Sequence, residues 1–247
     1  MTSIYAYNNQ RQFHTETVMT EPQQSFRKTR DEIAAAYSSE PWWYDLRGFF
    51  ILTFAYNSSI GAQLKFFGPN FGDQHLEVAC GTGTLLELLI RWRKWKHMPD
   101  TYITGIDYAE PMLAGAIQRF NGNSSIELQH ADATDLPFPD NTFDTANIAN
   151  AIHCFPNVEG ALLDIFRVLK NEGTLAINVL LYPRTPWPLN IIAERLNHWG
   201  IKKGILFTPY ERKDIRQKIL DTGFEVLTES VSGNCYNIFV KKPGVSV

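Results

Sequence analysis

The stretch that decides the fold is His75-Leu-Glu-Val-Ala-Cys-Gly-Thr-Gly-Thr84, followed by the helical sequence LLELLIRW. An apolar strand runs into a Gly-x-Gly turn, and the turn opens directly into a helix. Gly81 and Gly83 accept positive φ and leave no side chain between the backbone and a ligand. The free N–H groups at the helix start then face the crevice beyond the strand. The pattern predicts a ligand site. A glycine turn that serves only to pack the strand tightly against the helix would have the same sequence pattern and is the alternative.

Outward from this stretch, short apolar strands alternate with helices. We expect strands over 75–80, 102–108, 126–132, 143–150 and 174–182, and helices over 85–96, 111–120 and 158–169. A helix at 211–222 precedes two closing strands. This alternation predicts an α/β fold, a three-layer sandwich in which helices cover both faces of a seven-stranded, mostly parallel sheet.

The other segments suggest three parts of the chain. Residues 1–25 are polar and lack periodicity, so we expect a mobile N-terminal arm. Residues 26–72 predict a helical cap that includes a short helix at 58–67. Residues 73–247 are expected to form the main domain, with a proline-containing cap insert at 183–209.

Composition and charge exclude several classes of protein. The 247 residues are 44% hydrophobic and carry a net charge of −3, so a disordered chain and a global nucleic-acid-attracting field are excluded. Cations alternate with Trp92 and Trp95 in the segment Arg91–His97. Helix-end cations and tryptophans that cover the sheet explain this segment better than nucleic-acid binding does.

The sequence also bears on location and metals. It has no apolar run long enough to span a membrane and no signal-peptide pattern at its N-terminus. Cys80, Cys154 and Cys235 are far apart and match neither a metal motif nor a disulfide framework. We therefore expect no metal, no membrane insertion and a cytoplasmic location with reduced thiols.

Acidic side chains end three successive predicted strands. Glu77 can accept from an ammonium. Asp107 can accept from both hydroxyls of a ribose; a cap on the next helix is the alternative, is compatible with that role, and is the less favoured of the two. Asp132 can accept from an exocyclic amine while Ala133 and Leu136 flank a flat ring; taken alone, Asp132 could be a turn former. Carboxyl ends of parallel strands share one edge, so the three acids predict one nucleoside-binding crevice.

Two common nucleotide sites match less well. A dinucleotide fingerprint requires a small residue three positions after the second glycine, and this chain has Leu86 there. A P-loop ends in Gly-Lys-Ser/Thr, whereas Gly83 is followed by threonine and leucine. The sequence therefore disfavours a dinucleotide or a P-loop nucleotide.

Four motifs in order resemble the class I, Rossmann-like S-adenosylmethionine-dependent methyltransferases. They are HLEVACGTGT, ITGIDYAEPML, LQHADATDLPFPDNTFDTANIANAIH and VLKNEGTLAIN, within about residues 73–182. Within that class the chain is similar to the small-molecule group that includes the ubiquinone/menaquinone-biosynthesis methyltransferases. The resemblance implies S-adenosylmethionine as cofactor and methyl transfer to a small-molecule acceptor by in-line displacement. It also implies that the last strand of the sheet is antiparallel, because the two closing strands fit the family's reversed hairpin at the sheet edge. A cofactor-binding regulatory protein and a nucleotide-dependent oxidoreductase are the alternatives.

The resemblance also implies roles for single residues. The methionine part of the cofactor would be held by Glu77 and by the loop at Ala79, Gly81 and Gly83, with Asn150 behind the methionine end. The ribose would be held by Asp107. The adenine would lie against Tyr108 and Met112, and its amine would be bound by Asp132 with Ala133 beside it. Ala79 departs from the commonest pattern, which has glycine there. Its methyl group is expected to shift the loop slightly.

Acceptor-side residues follow from position in the chain. His153 lies just beyond the fourth predicted strand, where it is either a general base for a hydroxyl or amine acceptor or a structural histidine. The expected acceptor pocket combines aromatic residues of the cap with a wall from the insert: Tyr37, Trp43, Tyr44, Arg184 and Trp187.

Overall fold

The computed structural model describes residues 59–182 and 210–244, together with Ile191 and Arg195. The predicted arm, most of the predicted cap and nearly all of the predicted insert lie outside the described residues. The division of the chain into these parts stays a prediction.

Within residues 59–182 and 210–244, seven strands and five α-helices make up the fold. The strands are β1 (Gln74–Val78), β2 (Tyr102–Asp107), β3 (Ile126–His130), β4 (Phe143–Ile148), β5 (Leu169–Leu180), β6 (Glu225–Ser232) and β7 (Cys235–Lys241). The helices are α1 (Ile60–Phe67), α2 (Thr84–Trp95), α3 (Glu110–Arg119), α4 (Val158–Val168) and α5 (Arg212–Asp221). These elements confirm the predicted alternation.

The strands form one sheet in the order β3-β2-β1-β4-β5-β7-β6. Strands β1 to β5 pair in parallel, and β7 runs antiparallel to both β5 and β6. The predicted seven-stranded, mostly parallel sheet with an antiparallel last strand is therefore confirmed. Strand order reverses between β1 and β4, and open α/β sheets bind ligands in the crevice at such a reversal.

Two apolar clusters cover opposite faces of the sheet. One contains Leu76 and Val78 of β1 with apolar residues of α4 and α5, and the other contains Phe67 of α1, Phe71 and apolar residues of α2. Side chains alternate along a strand, so His75 and Glu77 point to the second face. Both residues are buried there.

Two details differ from the sequence-based expectation. β5 begins at Leu169 instead of 174, because Leu169 pairs with Phe143 before regular pairing resumes at Thr174 and residues 170–173 bulge between them. Trp95 does not cover the sheet as expected; it ends α2 and is 69% exposed, with Lys96 stacked over its ring.

Candidate functional site

The turn between β1 and α2 has an unusual backbone. Ala79, Gly81 and Gly83 all have left-handed φ values of 56°, 59° and 76°. A Cβ built on Gly83 would lie 2.5 Å from the Phe120 ring. A Cβ on Gly81 would meet no atom of the described residues within 4 Å. Gly83 is thus needed for packing, whereas Gly81 leaves an open cradle above the turn.

Ala79 carries backbone strain that a glycine would not. We expect Ala79→Gly to raise the free energy of unfolding by about 0.5–1 kcal/mol, because the left-handed region costs an L-residue about 1–2 kcal/mol and the extra freedom of glycine in the unfolded chain offsets part of this. Urea denaturation measures the change. Ala114→Gly, on the exposed face of α3, is the control and should lower stability by about 1 kcal/mol. A destabilised Ala79→Gly protein would contradict the strain.

Asp107 joins the end of β2 to this turn. Its Oδ2 accepts a hydrogen bond from the Gly81 backbone N–H at 2.7 Å, and its Oδ1 accepts from the Ala109 N–H at 2.8 Å. The second bond is a turn contact just before α3; the N-cap of that helix is Ala109, which receives no side-chain bond, so Asp107 does not cap α3. The first ties the carboxylate to the glycine turn, which the sequence did not predict.

The carboxyl group of Asp107 keeps room for further donors. Burial raises its pKa, while the backbone N–H groups of Ala109 and Gly81 lower it. Each carboxylate oxygen offers about two acceptor positions, and the backbone N–H groups of Gly81, Ala109 and Tyr108 take up part of this capacity. Asp107 therefore keeps acceptor capacity for a ligand hydroxyl without losing its hold on the turn.

The third acidic residue lies one strand further along. The Ala131 N–H donates to the Asp107 carbonyl at 3.3 Å, which places the β3 end beside the β2 end. Asp132 follows, and its Oδ1 accepts from the backbone N–H and the hydroxyl of Thr134. Asp132 thus has the turn-forming contacts considered for it, at the edge where the resemblance places an adenine amine.

Aromatic and apolar neighbours complete this side. The Tyr108 ring lies 5.3 Å from the His130 ring, and His130 Nε2 donates to the Tyr108 carbonyl. Met112 is buried, and Ala133 packs against the core. The roles of Tyr108, Met112 and Ala133 toward an adenine stay predictions.

The loop after Asp132 is held by an ion pair on α4. Arg167 bonds Asp164 at 2.7 Å and also donates to the carbonyls of Leu136 and Phe138. Asp164 Oδ2 in turn accepts from the Leu136 N–H. These contacts fix Leu136 beside the loop where a flat ring was expected.

Glu77 lies near the end of β1 and is 3% exposed. Its Oε2 accepts from Asn147 Nδ2 on the neighbouring strand β4 and contacts His75 Nε2, both at 3.2 Å. Glu77 is therefore a buried carboxylate held by two neutral side chains. The backbone pairing Glu77–Gly105 places it one strand from the end of β2.

Asn150 follows β4 in the left-handed region, with φ at 56°. Its side-chain amide exchanges two hydrogen bonds with Gln63 of α1, each at 3.0 Å. Asn178 of β5 accepts from the Asn150 backbone N–H and donates to its Oδ1, each at 2.6 Å. The network ties the α1 helix to the crevice edge.

Arg119 of α3 supports the turn from outside. Its guanidinium donates to the Thr82 carbonyl at 2.9 Å and to the Thr84 hydroxyl at 2.8 Å, and it pairs with Glu87 at 2.6 Å. One side chain therefore holds both the glycine turn and the first turn of α2.

His153 lies in a 3-10 turn, Ile152–Cys154, and is 4% exposed. Burial lowers the pKa of its imidazole from 6.5 to about 4. The ring is therefore neutral near pH 7, and its pKa lies below the near-neutral range in which general bases are most efficient. The base role of His153 stays a prediction.

The same burial predicts a pH dependence of stability. Between pH 6.5 and 4 the unfolded chain binds a proton at His153 that the folded chain does not, so stability falls as pH falls. We expect the free energy of unfolding to drop by about 2 kcal/mol more between pH 7 and 5 in the wild type than in His153→Gln. Urea denaturation at both pH values measures this, and equal losses would contradict the neutral imidazole.

Several of these residues were not singled out from sequence: Gln63, His75, Arg119, Asn147 and Asn178. All of them except Arg119 could have been found from one signal in the sequence: each is a polar residue in a segment whose hydrophobic periodicity indicates burial. Arg119 carries no such signal. The predicted pocket residues Tyr37, Trp43, Tyr44, Arg184 and Trp187 lie outside the described residues.

The described residues contain neither a candidate metal cluster nor a membrane-spanning helix. No group of three or more histidine, cysteine or acidic side chains there could hold a metal ion. No helix in residues 59–182 or 210–244 is long and apolar enough to span a membrane.

Parts of this chain are similar in sequence to known proteins. Residues 76–177 match the family described as a methyltransferase domain. A demethylmenaquinone methyltransferase from Clavibacter sepedonicus is 31% identical over 125 residues, which are 51% of this chain and 48% of that protein. This chain spans about half the length of the curated relatives it matches, or somewhat less.

Solved structures match the fold over a longer stretch. A SAM-dependent methyltransferase from Aquifex aeolicus superposes with a TM-score of 0.60 at 21% identity, over 83% of this chain and 99% of that one. The cyclase SpnF superposes with a TM-score of 0.57 at 18% identity, over 75% and 80% of the two chains. Residues 76–177 are therefore similar to the methyltransferase domain family, and the fold of the described residues is that of the class I, Rossmann-like S-adenosylmethionine-dependent methyltransferases.

Proposed function

We propose that this protein is an S-adenosylmethionine-dependent methyltransferase that acts on a small-molecule acceptor. The observation that carries the proposal is the bond between Asp107 and the glycine turn, next to the open cradle at Gly81. This bond holds a buried carboxylate and a bare backbone side by side at the carboxyl edge of the sheet, and it supports a ribose-binding role for Asp107. The matched family supports the same reading.

The residues fit the parts of the cofactor as follows. We propose that Asp107 accepts from the ribose hydroxyls and that Glu77 accepts from the ammonium of the methionine part. Asp132 would accept from the adenine amine, with Tyr108, Met112 and Ala133 around the ring. The open cradle at Gly81 leaves room for the methionine part to approach the backbone. Ala79, Gly83 and Asn150 would shape the turn and the wall behind it.

Catalysis in this proposal rests on position. When bound, the cofactor supplies a methyl group on a sulfonium sulfur, and the leaving group is a neutral thioether. Glu77 would hold the methionine end of the cofactor and Asp107 its ribose. The acceptor would then meet the methyl group in line with the sulfur. Such orientation is worth up to about 7–11 kcal/mol in well-aligned systems.

His153 is the proposed base for an acceptor that must lose a proton. A general base contributes about 10²–10⁴-fold to the rate. A His153→Gln variant whose kcat falls at least about 100-fold, with unchanged cofactor affinity, would support this role. A change below about threefold would assign His153 to packing.

The relatives suggest where to search for the acceptor. The Clavibacter relative is named a demethylmenaquinone methyltransferase. We propose a small-molecule acceptor with an aromatic ring, held by the cap and insert residues Tyr37, Trp43, Tyr44, Arg184 and Trp187.

Nucleic acid is not the proposed partner. The net charge is −3, and two cations of the Arg91–His97 segment are already engaged. Arg93 donates to the carbonyls of Gly68 and Pro99 from a buried position, and Arg91 pairs with Glu87 at 2.6 Å. We likewise propose a cytoplasmic protein that does not insert into membranes.

The test combines binding with turnover. Calorimetry with S-adenosylmethionine and S-adenosylhomocysteine measures cofactor affinity, and thermal shift with NAD(P) tests the oxidoreductase alternative. Turnover is followed by mass spectrometry, with labelled cofactor and a panel of naphthoquinols, catechols and amines. The expected result is cofactor binding, no NAD(P) shift and one methylated class of acceptor. Absence of cofactor binding overturns the proposal, and binding without transfer across the panel favours a regulatory protein.

A further inference from the structure

His75 stands out as a polar side chain inside an apolar strand. It is fully buried, two residues before Glu77 on the same face of β1. Its ring stacks on Phe71 with centroids 3.8 Å apart and an interplanar angle of 21°. The Arg93 guanidinium lies over the Phe71 ring, 4.7 Å from its centroid. The imidazole plane is therefore fixed by packing.

The hydrogen bonds of His75 define one tautomer. A carboxylate only accepts, so the proton between His75 Nε2 and Glu77 Oε2 belongs to the histidine. Thr145 Oγ1 accepts from the Gly72 N–H at 2.9 Å, so its own hydroxyl proton is directed to His75 Nδ1 at 2.8 Å. The neutral imidazole with its proton on Nε2 satisfies every contact.

The charged groups that act on the ring are Glu77 and Arg93. Burial lowers the pKa of His75, and the Arg93 charge lowers it further, while the contact with Glu77 raises it. The net shift is downward, which agrees with a neutral ring at pH 7.

Glu77 receives its second donor on the same oxygen. Asn147 Nδ2 also bonds Oε2, and Asn147 is itself oriented because its Oδ1 accepts from Asn70 Nδ2 at 3.0 Å. Asn70 is fixed in turn by the Thr174 hydroxyl at 2.6 Å. Within the described part of the chain, both donors to Glu77 thus reach Oε2, and Oε1 keeps its acceptor capacity.

We propose that His75 is a positioning residue, which holds Glu77 through Oε2 so that Oε1 accepts from the amino group of the bound cofactor. This inference rests on the proposed function, because it assigns the ammonium as the partner of Glu77. His75 itself touches neither cofactor nor acceptor. It acts by fixing the direction of one buried carboxylate.

The test uses two ligands and two variants of the full chain. S-Adenosylhomocysteine carries the amino group, whereas 5′-methylthioadenosine has the adenosine and thioether without the amino acid part. His75→Phe keeps a ring against Phe71 but removes the donor, and His75→Gln keeps an N–H donor without the ring. Calorimetry gives the Kd of each ligand for each protein.

We expect His75→Phe to weaken S-adenosylhomocysteine about tenfold and to leave 5′-methylthioadenosine within about twofold, because only the first ligand needs the oriented carboxylate. His75→Gln should stay within about threefold of the wild type for both ligands. Equal weakening of both ligands by His75→Phe, or no weakening of either, overturns the inference while the proposed function stands. A wild type that binds neither ligand defeats the proposed function instead.

A spectroscopic measurement covers the case in which His75→Phe does not fold. Nitrogen-15 NMR of histidine-labelled wild-type protein reports which ring nitrogen carries the proton, and the signal absent from His75→Gln assigns the residue. We expect a neutral ring protonated on Nε2 at pH 7. A proton on Nδ1 alone, or on both nitrogens, overturns the inference.

Discussion

Replacing Asp107 by alanine is expected to lower the affinity for S-adenosylhomocysteine about 100-fold. Hydrogen bonds to a charged group contribute about 1.5–3 kcal/mol each, and the proposed contact with two ribose hydroxyls loses both, which is about 3 kcal/mol in binding. The variant also leaves the Gly81 and Ala109 N–H groups without this acceptor. Stability should fall by only about 1–2 kcal/mol, so the protein stays folded.

Calorimetry on the variant, with urea denaturation in parallel, separates the two effects. Asp221→Ala is the matched control, because Asp221 is an exposed acid at the end of α5 that accepts from Gln217. It should bind the ligand as the wild type does. Unchanged affinity in Asp107→Ala would contradict the ribose role of Asp107, and with it the interpretation of the Asp107–Gly81 bond on which the proposed function is built.

Gly83→Ala is expected to lower the free energy of unfolding by about 2–5 kcal/mol. The left-handed φ of 76° costs alanine about 1–2 kcal/mol, and the new methyl group would lie 2.5 Å from the Phe120 ring, where overpacking costs about 1–3 kcal/mol more. Urea denaturation should show a lower midpoint with an unchanged slope.

Controls divide this loss into its two causes. Gly122→Ala has a φ of 81° and no neighbour of the added Cβ within 4 Å, so it should cost only the backbone term. Adding Phe120→Leu to Gly83→Ala should recover part of the packing term and none of the backbone term. A Gly83→Ala protein as stable as Gly122→Ala would show that Phe120 moves aside at no cost.

Gly81→Ala should behave differently, because its Cβ would enter the open cradle. Only the backbone term of about 1–2 kcal/mol is expected in stability. The methyl group would stand where the methionine part approaches the backbone, so cofactor affinity should suffer more than stability does. The two glycines of one motif thus serve packing and binding separately.

The order of elements could be predicted from the sequence because hydrophobic periodicity is a local property. The run from His75 to the glycine turn and into LLELLIRW identifies β1, the turn and α2 without any distant contact. The acidic residues 77, 107 and 132 could be placed at one edge because parallel strands carry their carboxyl ends together. Those inferences require only the chain itself.

Other features depend on contacts between residues far apart in the sequence. The bond from Gly81 to Asp107 spans the gap between two strand ends, and the Gln63–Asn150 exchange joins α1 to the segment that follows β4. The early start of β5 arises because Leu169 meets Phe143, a pairing that no local pattern encodes.

Sequence by itself determined the alternating strands and helices, the glycine turn and the three acidic strand ends, since each depends on neighbours along the chain. The tertiary structure alone decided that Gly83 meets Phe120, that His75 donates to Glu77, and that burial lowers the pKa of His153. The physical reason is that packing distance, hydrogen-bond partner and desolvation arise only when separate segments occupy the same space.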